Sequence, residues 1–300
     1  MSALKKIAIA GSTGNLGPAI LKKVIEAGFD VTVLTRQQST HSLPASVKVA
    51  EVDYDSLDSL TNALAGQDAV VSTISTPAVE KQLLLVEAAV KAGVKRFIPS
   101  EFGSDTFNHK ANQLPVYTNK IVVQNALKSE AATSGLTYTF IINGPFFDWG
   151  LRAGFLAKIK EKSVTLWDGG EQLFSTTTLG SIGQAVVGVL KNPEETKNRP
   201  VYVQDVAISL KQILEIGKKV TGSDDWTGNH ADLNEFVNKG WEELKKPQPD
   251  PHKFAINLLA AAIWGEGYGS KFENLDNELL GIEGLNEAAV EALIKQIISE

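Results

Sequence analysis

Hydrophobic residues in the first half of this chain fall into short runs, separated by stretches whose apolar positions recur at helical spacing. Lys6-Ile-Ala-Ile-Ala10 reads as a strand, and the stretch from Pro18 repeats apolar residues at Ile20, Leu21, Val24 and Ile25 before ending on Gly28. A second strand, Asp30–Thr35, follows at once. The alternation continues with strands at Val47–Val52, Ala69–Ile74, Lys95–Pro99 and Thr137–Ile142, and helices at Leu57–Leu64, about Val79–Ala92 and about Val116–Ala132 between them. Runs such as Ala69-Val-Val71 and Phe140-Ile-Ile142 are apolar at every position, as strands covered on both faces must be. Such alternation predicts an α/β protein built on a doubly wound parallel sheet with right-handed crossovers.

Beyond about Asn143 the rhythm weakens. Short strands at Val164–Leu166 and Val201–Val203 alternate with helices near Ser181–Leu190 and Leu210–Val220, and a proline-rich break, Lys246-Pro-Gln-Pro-Asp-Pro251, interrupts the later part. The rest is rich in aromatics: Trp226, Phe236, Trp241, Phe254, Trp264, Tyr268 and Phe272. These are first of all core for a smaller lobe, and some are candidates to wall a substrate pocket above the C-terminal strand ends. The pattern divides the chain into a nucleotide-binding part, 1–150, and a mainly substrate-binding lobe, 151–300, from which some segments return to the sheet.

Between the first strand and the first helix stands Gly11-Ser-Thr13-Gly14-Asn15-Leu16-Gly17. Strand, glycine-rich turn and helix in that order make a Rossmann-type phosphate cradle. Glycines permit a tight turn and close backbone approach, while free N–H groups at the helix start face a pyrophosphate. At the end of the second strand, where an NAD enzyme places an acid for the ribose 2′-hydroxyl, this chain has Thr35-Arg36-Gln37-Gln38. A guanidinium there grips a 2′-phosphate that a carboxylate would repel, so Arg36 points to NADP(H). Ser72-Thr73-Ile-Ser75, at the end of the fourth strand, lies beside the expected cofactor path, with ordinary strand-end capping as the plainer use of Thr73 and Ser75.

Composition narrows the partners. Three hundred residues are ample for a large core, and a net charge of −6 without any dense basic block argues against nucleic acid. No apolar run approaches the length needed to span a bilayer, and the opening Met1-Ser-Ala-Leu-Lys-Lys leads into a strand instead of a signal sequence. There is no cysteine, which excludes disulfides and thiolate chemistry, and His41, His109, His230 and His252 are scattered without metal-like spacing. The expectation is a cytoplasmic protein, monomer or homodimer, with no metal.

These residues together resemble the NmrA-like, isoflavone-reductase-like branch of the atypical short-chain dehydrogenases. The likeness rests on the Gly-x-x-Gly-x-x-Gly spacing, Arg36, Val52-Asp-Tyr-Asp55 with Ser59-Leu60, and above all Lys95-Arg-Phe-Ile-Pro-Ser-Glu-Phe-Gly103. It covers roughly residues 5–200, and the tail with Trp264-Gly-Glu-Gly-Tyr-Gly269 looks like the fungal versions. The resemblance implies an NADPH-dependent reductase of a small aromatic or conjugated metabolite. It places Ser100, Glu101 and Phe102 on the nicotinamide side of the cofactor. It also puts an aromatic of Asn143-Gly-Pro145-Phe146-Phe147 against the nicotinamide, with Phe146 preferred over Phe147. Asp53 and Tyr54 are expected near adenine.

The family's catalytic lysine maps onto Lys120, and the sequence singles out the same residue independently. Val116, Lys120, Val123 and Leu127 share one helical stripe, so this lysine faces inward, and desolvation lowers its pKa. Lys120 is accordingly expected both at the cofactor and as proton donor or oxyanion stabiliser. Val116 occupies the position of the usual tyrosine, and Tyr117, one residue off, is expected to face elsewhere. A rival reading is a dinucleotide-sensing regulator without turnover. Such members of the family tend to lack the lysine, so Lys120 favours the enzyme. A third is an isomerase or dehydratase that uses bound nicotinamide without net redox change.

Overall fold

The computed structural model describes residues 4–36 and 43–300; Gln37, Gln38, His41 and the first three residues, named above, lie outside the described residues. Seven parallel strands form the sheet: β1 (Lys6–Ala10), β2 (Asp30–Arg36), β3 (Lys48–Val52), β4 (Ala69–Ser72), β5 (Arg96–Ile98), β6 (Thr137–Ile142) and, out of sequence, β9 (Arg199–Tyr202). Their order is β3-β2-β1-β4-β5-β6-β9, so the chain reverses direction across the sheet between β1 and β4. In a doubly wound sheet that switch point opens a crevice at the carboxyl ends of the strands.

Side chains leave each strand alternately, and both faces find apolar cover. From β1, Ile7 and Ile9 join Val33, Val71 and Ile141 on one face, while Ala8 and Ala10 join Val70, Phe97 and Phe140 on the other. The first face is closed by α1 (Gly17–Glu26) through Ile20 and Val24 and by α6 (Leu179–Lys191) through Ile182, Val186 and Val189. The second is closed by α2 (Leu57–Leu64), α3 (Gln82–Lys91) and α4 (Thr118–Thr133), through Leu60, Leu85 and Val123 among others.

A separate apolar cluster gathers α5 (Phe147–Arg152), β7 (Ser163–Trp167), β8 (Phe174–Thr176), β10 (Val206–Ile208) and α7 (Leu210–Thr221). With them are β11 (Thr227–Ala231), α8 (Leu233–Leu244), α9 (Pro251–Trp264) and α11 (Glu287–Ser299); the short α10 (Asn277–Leu280) packs on α6. Here β7 pairs with β11 in parallel and β8 with β10 antiparallel. Trp264 sits among Phe155, Trp167 and Phe174 at ring separations of 5.9, 6.1 and 6.2 Å. Trp226, Trp264 and Phe272 are buried as core, but Trp241 is 38% exposed and lies outside it.

Two elements of the first half differ from the pattern reading in ways that the main chain explains. The fourth strand ends at Ser72, because Thr73 turns to donate to Ala10. The helix expected from Val79 begins as a 3₁₀ turn, Thr76–Lys81, kinked at Ala78, and becomes α-helical only at Gln82.

Arg96 is wholly buried within β5. Its guanidinium donates to the hydroxyls of Thr137 (2.8 Å), Thr139 (2.8 Å) and Thr196 (3.0 Å), and to the Pro193 carbonyl. Burial pulls its pKa down to about 10, with the nearby Glu194 opposing. The side chain stitches β5 to β6 and to the turn after α6 through directed hydrogen bonds that a shorter or apolar side chain does not replace. Arg96→Met should destabilise the protein by about 2–4 kcal/mol in urea titration with an unchanged slope. A loss below about 0.5 kcal/mol would show these bonds to be dispensable.

Candidate active site

The sequence-selected residues converge on one edge of the sheet. Gly11, Thr13, Gly14, Asn15, Leu16 and Gly17 lie between β1 and α1, Arg36 ends β2, and Asp53 follows β3. Thr73 and Ser75 follow β4, Ser100, Glu101 and Phe102 follow β5, and Asn143, Pro145 and Phe146 follow β6. Lys120 stands in the first turn of α4. All of these strand ends are carboxyl ends, flanking the switch point.

The three glycines of the first turn do different work. A Cβ on Gly11 would stand 2.7 Å from the Thr73 carbonyl, and one on Gly17 would stand 2.3 Å from the Gly11 oxygen. Both are packing constraints. A Cβ on Gly14 would meet nothing nearer than the Gly11 oxygen at 3.7 Å, and Thr13-Gly14-Asn15 is exposed. Gly14 therefore keeps its surface bare toward the cleft and not toward the protein. Leu16 caps α1 without a side-chain hydrogen bond, and the N–H groups of Asn15, Leu16 and Gly17 donate to no acceptor among the described residues. A bare backbone edge with free donors at a helix N-terminus fits a pyrophosphate.

Around that cradle the other residues are placed as follows. Arg36 is exposed, and its charge bears on Tyr54, whose hydroxyl donates to Leu34 and whose pKa burial pushes up to about 12. The Asp53 carboxylate, also exposed, accepts from the Asp55 N–H at 2.9 Å. The Thr73 hydroxyl donates to the carbonyls of Ala10 and Gly11, so it ties the glycine turn to β4. Ser75 is exposed, and the Ser100 hydroxyl donates to the Ile74 carbonyl at 2.8 Å. Asn143 is buried and its amide nitrogen donates to Gly144, leaving Oδ1 without a partner among the described residues. Phe146 is half-buried and stacks edge-on with Trp149 at 6.3 Å, whereas Phe147 is sealed in the core. Of the two, only Phe146 has surface to offer a ligand.

Lys120 stands at the same edge, beside the turn after β5. Its ammonium donates to the Glu101 main-chain carbonyl, and a Cβ on Gly103 would lie 3.7 Å from it. Burial lowers the Lys120 pKa, and the negative charge of Glu101 opposes that fall. The Glu101 carboxylate is itself buried, which raises its pKa against the pull of Lys120 and two hydrogen bonds. It reaches into the protein, so that only the main chain of Glu101 borders Lys120. The inward stripe holds in part: Val123 and Leu127 are buried below Lys120, but Lys120 is itself half-buried, and so is Val116, which lies on the turn before α4 and not on the helix.

Tyr117 does not face elsewhere. Pro115–Tyr117 is a 3₁₀ turn preceding α4, so ordinary helical spacing does not apply to it, and the Tyr117 ring comes within 5.9 Å of the Lys120 ammonium. Burial raises the Tyr117 pKa, keeping it a neutral phenol beside Ser104. Sequence reasoning also passed over Thr106 and Gln124, which hold the Glu101 carboxylate. The signal for Gln124 is a polar residue four places after Lys120, next to buried Val123.

Residues 3–225 match the NmrA-like family. Oxidoreductase poxI of Penicillium oxalicum is 32% identical, covering 97% of this chain and 93% of that protein. Phenylcoumaran benzylic ether reductase PT1 of Pinus taeda is 28% identical, over 73% of this chain and 76% of its own. Among solved structures, one of AtPrR2 with NADP+ and (+)-pinoresinol superposes with a TM-score of 0.80 at 21% identity, covering 99% of this chain and all of that one. These likenesses agree with the seven-stranded doubly wound fold.

The glycine geometry makes a paired prediction. Gly14→Val should abolish nucleotide binding in calorimetry while leaving the melting temperature nearly unchanged, since its side chain enters the cleft alone. Gly17→Val should instead prevent folding, because the Gly11 carbonyl occupies that space. Unchanged binding in Gly14→Val would make the turn purely structural.

Proposed function

This chain belongs to the NmrA-like family and is an oxidoreductase, and from that premise we propose that it reduces a small aromatic or conjugated metabolite with NADPH. The observation that carries the reading is the half-buried Lys120 ammonium, fixed to the Glu101 carbonyl on the same sheet edge as the bare glycine cradle. The backbone of residues 11–17 would hold the pyrophosphate, Arg36 the 2′-phosphate, and Asp53 the adenine side. Phe146 and the unpartnered Asn143 Oδ1 would border the nicotinamide, beside the turn at Ser100–Phe102. When bound, the cofactor supplies a hydride.

The protein's own part is orientation and charge. Phe146 and Trp149 present an aromatic wall against which a flat substrate can lie. Lys120 sits where an oxygen that gains negative charge would be met by a cation, which stabilises it and then hands over a proton. The neighbouring backbone and the Tyr117 ring restrict water at the ammonium, which strengthens that interaction. The aromatic substrates named for the pine reductase and the pinoresinol complex support the choice of substrate class.

Arg36 decides the cofactor. A charge-assisted phosphate contact is worth about 1.5–3 kcal/mol, so Arg36→Ala should narrow the preference for NADPH over NADH by at least about tenfold. Equal dissociation constants for the two nucleotides in the unmutated protein would overturn the assignment. Lys120→Ala should lower kcat and kcat/KM together by about 10²–10⁴-fold while NADPH affinity changes far less. Lys120→Arg should rescue poorly, since a guanidinium does not release its proton near neutral pH. The assay is loss of NADPH fluorescence with aromatic enones, aldehydes and benzylic ethers. Tight NADPH binding without turnover of any of them would instead support a sensor.

A further inference from the structure

Glu101 faces two ways. Its main-chain carbonyl accepts from the Lys120 ammonium, while its side chain, 3% exposed, turns back into the protein. There Oε2 accepts from the Thr106 hydroxyl at 3.0 Å and Oε1 from the Gln124 amide at 3.1 Å. The same amide nitrogen donates to the Thr106 oxygen at 2.8 Å. These directions are linked. An amide nitrogen only donates, so the Thr106 oxygen accepts from it and directs its own proton to Oε2. Both carboxylate oxygens are then acceptors; a protonated Glu101 would have to turn its proton onto the Thr106 oxygen, leaving the Thr106 hydroxyl proton without a partner in the network. The arrangement suits an ionised carboxylate.

A buried charge needs a counter-charge. Two cations act on Glu101, Lys120 and Lys128. Lys128 lies two turns further along α4 with its ammonium over the Phe107 ring at 5.3 Å, whereas Lys120 is held at the main-chain carbonyl of Glu101 and acts on the carboxylate more strongly. The other ionisable groups nearby are otherwise engaged. Tyr117 is kept neutral by burial, and Asp105 accepts from the Tyr202 hydroxyl and the Phe107 N–H, both at 3.0 Å. On the 3₁₀ turn packed against α4, Glu80 accepts from Asn119 and Lys81 pairs with Asp55.

We propose that Glu101 is a positioning residue: its carboxylate is the buried counter-ion that keeps the Lys120 ammonium protonated and pinned at the Glu101 carbonyl. Lys120 then meets substrate as a cation and proton donor and not as a base. This rests on the reading of Lys120 as the catalytic group, but the coupling can be measured without turnover.

The test follows Lys120 by NMR in protein carrying carbon-13-labelled lysine, with Lys120→Ala to assign the signal. Removing the negative charge disfavours the ammonium, so in Glu101→Gln the Lys120 pKa should fall by about 1–3 pH units. The alkaline limb of kcat/KM should move to lower pH by the same amount. Thr106→Val keeps the carboxylate and removes only its hydroxyl donor, so Lys120 should shift much less. A folded Glu101→Gln whose Lys120 titrates as before would overturn the proposal. So would an infrared band of protonated Glu101 at neutral pH, seen by labelling glutamate in the unmutated protein, a measurement that needs no variant to fold. Full turnover in Lys120→Ala would refute the catalytic reading while leaving the NMR coupling intact, so the two failures are distinguishable.

Discussion

The chain passes from β1 into α1 by packing backbone directly against backbone. Gly11, at φ +82°, lets the chain leave β1 against the Thr73 carbonyl, and Gly17 lets α1 start against the Gly11 oxygen. No side chain fits in either gap. The turn is then locked from β4, whose Thr73 hydroxyl bonds the Gly11 carbonyl at 2.8 Å. With its start fixed, α1 lies flat on the sheet and receives α6, where a Cβ on Gly183 would come 2.8 Å from the Ala19 oxygen. Three backbone contacts thus set the spacing of β1, β4, α1 and α6. The same contacts leave the Gly14 surface and the first N–H groups of α1 turned outward.

The other half of the cleft is held by hydroxyls. Gly103 accepts from the N–H groups of Asn143 and Gly144, so the turns after β5 and β6 are tied to each other. Thr177 donates to Asn143 and Thr176 to Pro145, both at 2.7 Å, which fastens the segment after β8 beneath them. Gly144, at φ +65°, passes so close to Ser175 that a Cβ would overlap its carbonyl oxygen at 2.0 Å. Ser175 in turn accepts from the Phe272 N–H, which draws in the glycine-rich tail. The Thr177 and Phe272 bonds are buried, where a lost partner costs more than a bond gains.

Legibility followed burial. The inner strands β4, β5 and β6 are covered on both faces, so their composition alone marks them, and β6 runs over the residues its apolar run predicts. The later elements carry no such mark. β8 is Phe-Ser-Thr, with hydroxyls that serve the turns above it, and β11, Thr-Gly-Asn-His-Ala, has the composition of a loop. They are strands because β10 and β7 pair with them, which is a tertiary fact. At the site, the glycine turn, Arg36 and Lys120 stood out because their chemistry is local in sequence. Glu101 entered through the family resemblance, on the nicotinamide side; that its carboxylate turns inward was not legible, because it depends on Thr106 and Gln124, the latter 23 residues away. Tyr117 was misread because a 3₁₀ turn ahead of α4 breaks the spacing from which its direction was inferred.

Backbone strain explains why the Glu101 carbonyl meets Lys120 at all. After β5 the chain makes a turn so tight that the Glu101 N–H reaches the Pro99 carbonyl at 2.8 Å. Phe102 then takes φ +33°, a left-handed conformation that a bulky residue avoids unless its surroundings impose it. The imposition is visible on both sides. The Phe102 side chain is buried in the core under the sheet, and the next carbonyl, that of Gly103, is claimed by Asn143 and Gly144. Relaxing Phe102 would rotate the peptide that carries the Glu101 oxygen away from α4 and pull its carboxylate off Thr106 and Gln124. The cost of the strained residue is therefore borne by the packing of β5 and β6, and what it secures is a main-chain oxygen that meets Lys120 while the carboxylate of the same residue stays with Thr106 and Gln124.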